Sequence, residues 1–283
     1  MSKYNSVHRQ QLFSWIGRRI EKKAPKHRLD DDLRKEYVKC LRDTLNRGLW
    51  VSTPEKPDHL GDGSYSSADH PMVCFTEWAL LQSKPHTAEY GRLALGFPKR
   101  FVLNRGGQPI TYVRSGSKNS PYSTALREVT AWLEEQTNQH ADDARLQDAK
   151  YWFRYLVHFS KQINREKGEP SAERTKSAAP RKKPPEPDIY KKQFGRPMEY
   201  LEEREWRIVY DKSLAKQFEE AEPAEHGPKY YLRFKPGKEL FTVVLPDNRT
   251  VRFAMEDDAI RQALFPDKAP PVTVLSLDDI GTF

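Results

Sequence analysis

The chain has 283 residues, with 48 Lys+Arg against 40 Asp+Glu and a formal net charge of +8. That length can bury a sizeable core, and the basic balance favours polyanionic partners without specifying one. No apolar run approaches the roughly 20 residues that cross a bilayer, and the opening MSKYNSVHRQ lacks the apolar segment of a secretory signal, so a cytoplasmic protein with no membrane partner is expected. Cys40 and Cys74 are far apart and lack ligand spacing, which argues against a disulfide framework.

In chain order, QQLFSWIGRRI reads as a short apolar strand. Asp30, Asp31 and Asp32 then open a helix in which Leu33, Tyr37, Leu41 and Leu45 recur at helical spacing until Gly48. GLWVST follows, and PEKPDHLGDGSYSSADHP reads as a turn-rich loop without regular structure. MVCFTEW alternates two largely apolar sets, as a central strand does, and EYGRLALGF and QPITYV are two more strands around a Gly-Gly turn. Leu126, Val129 and Leu133 mark one helix, and Tyr151, Tyr155, Leu156, Phe159 and Ile163 a second, together a helical insertion over residues 122–165. From 166 to 192 the chain is rich in proline and basic residues and nearly devoid of apolar ones, the composition of a disordered linker. Beyond it come a strand in YLEEREWRIVYD, a helix from Ser213, strands in KYYLRF, ELFTVVLP and TVRFAM, a helix in DDAIRQALF and a last strand in PVTVLSLDDI. Strands and helices without regular alternation predict a single α+β domain over 1–283, with a mixed, mainly antiparallel sheet and flanking helices.

The chemistry-bearing residues are few. Eight histidines are scattered, with no HExxH pair and no Gly-rich phosphate loop. Asp58, His59, Asp62, Asp69 and His70 share one loop, a grouping that a polar loop explains, so no metal site is expected. YLEEREWRIVYD is different. On a strand, Arg204, Trp206, Ile208 and Tyr210 share one face, which looks like a core face, while Glu203, Glu205, Arg207 and Val209 share the other. Two carboxylates and a guanidinium on one face describe either the solvated side of an edge strand or a site that receives a cationic group.

Three stretches in order, VCFTEW at 73–78, EYGRLALGF with QPITYV at 89–113, and EREWRIV at 203–209, resemble the AbiGi family of abortive phage infection proteins. HRQQLFSWIG and the helix end LRDTLNRGLW are similar to that family's beginning. More distantly, a helix ending in Gly-Leu, an FTE strand and a late strand with E-x-E resemble ADP-ribosyltransferase domains, including the DarT-type enzymes that modify DNA. That resemblance implies an ADP-ribosyltransferase-like fold and NAD as cofactor. It implies catalytic roles for Glu205 and Glu203, with Thr76, Arg207, Ser14 and Arg9 toward the cofactor. Such enzymes stabilise an oxocarbenium-like state with a carboxylate. The first strand departs from them, since LFSWIG offers Ser14 and Trp15 where a His or Arg is usual, with His8 and Arg9 nearby. Two functions are thus expected from the resemblance. One is a phage-defence protein that uses NAD to modify a nucleic acid or protein. The other is a non-enzymatic antitoxin or nucleic-acid-binding module with a cognate toxin or antitoxin as partner.

Overall fold

A computed structural model describes residues 11–21, 29–53, 59–60, 65–66, 70–77, 80, 87, 90–115, 121–164, 204–210, 218–224 and 227–280. The strands in chain order are β1 (Gln11–Ile16), β2 (Leu49–Val51), β3 (His59–Leu60), β4 (Tyr65–Ser66), β5 (Met72–Thr76), β6 (Leu93–Pro98), β7 (Gln108–Pro109) and β8 (Thr111–Ser115). They continue with β9 (Ser160–Asn164), β10 (Glu205–Val209), β11 (Phe218–Ala224), β12 (Gly227–Leu232), β13 (Thr242–Leu245) and β14 (Thr273–Ser276). The helices are α1 (Arg18–Glu21), α2 (Asp31–Arg47), α3 (Lys99–Leu103), α4 (Pro121–Gln139), α5 (Ala144–Val157), α6 (Asn248–Glu256), α7 (Asp258–Leu264) and α8 (Leu277–Ile280). The chain divides into two compact units, the first made of Met1–Lys56, Ala68–Ile110 and Glu202–Phe283, the second of Pro57–Ser67 and Thr111–Leu201.

The first unit is built on a seven-stranded sheet of order β14-β13-β6-β1-β5-β10-β7, antiparallel except for the β13–β14 pair. This is the mixed, mainly antiparallel α+β arrangement expected from the sequence. One face carries the main core, in which Leu12, Leu95, Phe97, Phe75, Ile208 and Val243 meet Leu33, Tyr37 and Leu41 of α2 and Ala254, Ile260 and Leu264 of α6 and α7. The three-stranded sheet β11-β12-β2 adds Leu49, Val51, Leu232 and Phe218 to the same core. The opposite face holds a smaller cluster of Phe13, Ala94 and Val244, packed by Trp15, Leu80, Leu275, Leu277 and Ile280. Phe97 stacks on Phe101 with centroids 4.5 Å apart and meets Phe75 edge to face.

Local chemistry explains the helix boundaries. Asp30 caps α2 by accepting from the Leu33 amide at 2.9 Å, and Asp31 and Asp32 sit where the helix dipole favours negative charge. Gly48 ends α2 at φ +105°, where a Cβ would lie 2.4 Å from the Leu232 carbonyl oxygen. Asp247 caps α6, accepting from the Thr250 amide at 2.7 Å and from Arg34 Nη2 at 2.8 Å, which joins the start of α6 to α2.

Several sequence expectations are corrected. TVRFAM, rich in β-branched and aromatic residues, lies in helix α6, because the Asp247 cap and the spacing of Thr250, Val251, Ala254 and Met255 toward the core outweigh local strand propensity. QPITYV divides between two sheets. Pro109, with no amide to donate, sits on edge strand β7, while Thr111–Ser115 pairs with β9. Ile163 belongs to that strand and not to a helix. The helix expected from Ser213 falls on residues outside those described, and Phe218–Ala224 after it is a strand. The loop 54–71 contains the short pair β3–β4, and PVTVLSLDDI ends in helix α8. The second unit comprises β3–β4, the parallel pair β8–β9 and the two helices α4 and α5. The linker expected at 166–192 lies outside the described residues.

The Arg34–Asp247–Thr250 cluster generates a pH prediction. Burial pushes the Asp247 carboxyl upward, and hydrogen bonds from Arg34 and Thr250 outweigh it, so its pKa is held below the ordinary 3.8. A depressed folded pKa gives stability that is complete above the unfolded value and lost as pH falls through the folded one. Asp247→Asn should cost about 1–3 kcal/mol at pH 7. In urea titrations the gap between wild type and variant should hold down to about pH 4 and close below it.

Candidate functional site

Strand β10 pairs antiparallel with β5, placing Glu205 opposite Thr76, Trp206 opposite Phe75, Arg207 opposite Cys74 and Ile208 opposite Val73. Trp206 and Ile208 point to the main core, as alternation requires; Ile208 is fully buried and Trp206 half-buried. The Trp206 indole N–H donates to Glu77 Oε2 at 3.2 Å, Lys99 pairs with Glu77, and the Lys99 ammonium lies 5.5 Å from the indole centroid. Tyr210 continues the core side by stacking on Tyr230, 3.9 Å between centroids.

Glu205 and Arg207 point to the other face and are buried there, with side-chain exposures of 10% and 3%. Arg207 Nε donates to Glu205 Oε1 at 2.7 Å. Thr76 is buried beside Glu205, with Phe13 opposite it on β1, and on the same face the Thr242 hydroxyl donates to Gln11 Oε1 at 2.9 Å. Cys74, the register partner of Arg207, is solvent-exposed.

The solvated edge-strand reading is therefore corrected. β10 is flanked by β5 and by the short β7, and its charged face is inside. A carboxylate and a guanidinium two residues apart on a strand can satisfy each other, which makes their joint burial tolerable. Arg204 is not on a core face; it is exposed at φ +43°, one residue before the strand begins.

Of the residues singled out from the sequence, the fold brings Thr76, Glu205 and Arg207 together on one face. Ser14 is buried on the opposite face, paired in register with Leu95. Glu203 and Arg9 lie outside the described residues. Glu77 and Lys99 are not among the residues the sequence singles out, although Glu77 stands in CFTE; a separation of 22 positions hides the pair from any local reading. The described residues named for NAD do not form a cradle for it, since Ser14 faces away from Thr76 and Arg207, and the Glu205 carboxylate already meets a guanidinium. A surface groove of about 340 Å³ lies elsewhere, among Lys35, Lys39 and Arg42 of α2 and Phe253, Glu256 and Asp257. Among the described residues no group of three or more His, Cys, Asp or Glu could hold a metal, and no helix is long and apolar enough to cross a membrane.

The second unit presents a different surface. Leu126 packs on Val157, Arg154 reaches Glu134 at 3.2 Å and Lys150 reaches Thr137 at 3.3 Å, so α4 and α5 run antiparallel. Each helix carries large apolar side chains one step around from its inward ones. Trp132 precedes buried Leu133, and Trp152 and Leu156 precede Phe153 and Val157. Equal rotational offsets on antiparallel helices fall on the same side of the pair. Trp132, Trp152 and Leu156 are 53%, 49% and 65% exposed there, with Val129 beside them.

A family model described as "Putative abortive phage resistance protein AbiGi, antitoxin" matches residues 50–238. The match takes in more than half of the chain, and the chain belongs to this family. No curated protein and no solved structure matches it. The matched region contains β5, β10 and the α4–α5 pair, whereas β1 and α2 precede it.

Glu205→Gln removes the carboxylate charge that meets the buried Arg207 Nε at 2.7 Å and should destabilise the first unit by on the order of 3 kcal/mol. The double change Glu205→Met with Arg207→Met, which removes both charges, should recover most of that loss in urea unfolding. Equal stability of wild type and Glu205→Gln would mean that the pair carries no structural weight.

Proposed function

We propose that this chain is the antitoxin of an abortive phage-resistance pair and that it acts by docking on a cognate toxin protein rather than by turning over NAD. The observation that carries this reading is the exposed apolar face of Trp132, Trp152, Leu156 and Val129, which lies inside the region that matches an antitoxin family. Half-exposed tryptophans on a rigid helix pair are the kind of side chain that dominates protein interfaces once desolvated. Apolar patches of this sort on soluble proteins commonly mark interaction sites. The exposed acids Glu135 and Asp148, and Glu128 beside Arg127, stand within a helical turn of the two tryptophans, so the partner surface is expected to be apolar with a basic rim. The transferase reading, with NAD modifying a nucleic acid or protein target, rests on the resemblance of Glu205, Glu203 and Thr76 to transferase positions. The Glu205–Arg207 pair weighs against it, because a carboxylate neutralised by a guanidinium is a poorer stabiliser of developing positive charge.

Co-expression with a cognate toxin separates the two. Trp132→Ala combined with Trp152→Ala should abolish rescue of growth while the purified variant keeps the wild-type melting temperature. Purified wild type should consume no NAD with nucleic acid or protein substrates added. Full rescue by the double variant, or NAD consumption that falls at least a hundredfold in folded Glu205→Gln, would favour the transferase.

A further inference from the structure

The small sheet β11-β12-β2 of the first unit has a second face that the core does not use. Leu49, Val51 and Leu232 point inward. The alternate residues point outward: Trp50 stands opposite Tyr231 in register. Glu219 of β11 is the register partner of Tyr231 on its other side, and Arg233 lies one residue beyond the end of β12. Trp50 is 41% exposed although both its strand neighbours are buried. The exposed Arg19 lays its guanidinium over the Trp50 ring, 4.3 Å from the centroid. Arg233 is exposed as well.

We infer that this face binds single-stranded nucleic acid. Two adjacent aromatic side chains on a strand pair offer a platform on which unpaired bases stack, and stacking tolerates any base because each has a π-face. A base stacks against the Trp50–Arg19 pair and Tyr231, and the Arg19 guanidinium over the indole and Arg233 just past β12 meet the flanking phosphates, with the fork geometry that suits phosphate oxygens. The Arg19–Trp50 contact holds one such group in place before any ligand arrives, which lowers the entropy lost on binding. A formal net charge of +8 adds long-range attraction for a polyanion. The bases of a duplex are stacked on one another and closed to a flat aromatic surface, so the preference is for single strands, with little sequence specificity. This surface is separate from the apolar face of α4 and α5 and does not rest on the antitoxin reading.

The test is fluorescence anisotropy with a labelled oligodeoxythymidylate of about 20 nucleotides and a duplex of equal length, titrated with the full chain at several salt concentrations. Salt-dependent binding of the single strand, tighter than the duplex, is expected. Trp50→Ala should weaken it by about tenfold with the salt slope unchanged, and Trp50→Phe should retain most of it. Arg19→Ala and Arg233→Ala should each flatten the salt slope by about one phosphate contact. Because Trp50 borders the core, Arg19→Glu, a change at an exposed position, supplies a second reading that does not depend on Trp50→Ala folding; it should weaken binding with no change in melting temperature. No binding at low salt, equal affinity for the duplex, or single-strand affinity untouched by both Trp50→Ala and Arg19→Glu would overturn the inference. The Trp132→Ala, Trp152→Ala protein should bind the oligonucleotide as wild type does, so failure here and failure of the antitoxin reading are distinguishable.

Discussion

A guanidinium taken out of water must carry its counter-charge with it, and that demand sets the register of β10. Arg207 is buried on a strand whose next position on the same face is Glu205, and the two bond at 2.7 Å. A slip of one residue would turn both charges into the apolar face held by Trp206, Ile208, Phe75 and Val73, while exchanging those side chains into the polar row. The cost of that misplacement far exceeds any net gain from the pair itself, so the pair specifies arrangement more than it adds stability. With β10 fixed against β5, Thr76 meets Glu205 on one side and Phe13 of β1 on the other.

A second polar knot does similar work at the other end of β1. Gly91 at φ +103° lies so close to β1's turn that a Cβ would sit 2.5 Å from the Gly17 carbonyl carbon. Beside that contact the Tyr37 hydroxyl donates to Glu21 and accepts from the Arg92 amide at 3.2 Å, and Arg92 pairs with Glu21 at 3.0 Å. Burial first, and the Glu21 carboxylate second, raise the Tyr37 pKa, so it stays a neutral donor. Helix α2 is thereby tied to the strands it covers through Tyr37, its one aromatic residue, which is fully buried.

The legible parts of this fold were those where local signals agree with tertiary ones. Helix α2 announces itself by a capping aspartate, a stripe of Leu33, Tyr37 and Leu41 and a terminal glycine, and β5 and β6 by continuous apolar runs. TVRFAM misled because Thr, Val and Phe favour strands, and the deciding residue, Asp247, makes its contacts with Arg34 more than two hundred positions away. EREWRIV disclosed its alternation and the grouping of Glu205 with Arg207, but not that the charged side is inside. Burial of a strand face depends on what other elements lay over it, and no pattern within the strand encodes that. The union of Thr76 with Glu205 likewise needed the β5–β10 register, which is a long-range fact. The face of Ser14 follows from the parity of β1, which the pairing with β6 defines and no pattern within LFSWIG encodes.

Taken unit by unit, the described surfaces divide their chemistry. The apolar side of α4 and α5 has two indoles and a leucine with acids close by, a composition whose attraction comes from desolvation and changes little with salt. The outer side of β2 and β12 has an indole under the Arg19 guanidinium and a phenol ring in register with it, where attraction for a phosphate would come from counterion release and fall steeply with salt. Acids beside the first repel a polyanion, and Arg19 beside the second repels a basic protein surface, so the two faces favour ligands of different charge. In the central sheet, by contrast, the charges face each other: Glu205 is spent on Arg207, and Glu77 on Lys99 and Trp206. Charges used to hold strands in register are the least available for turnover, whereas those left outward on rigid strands and helices are the ones a partner can read.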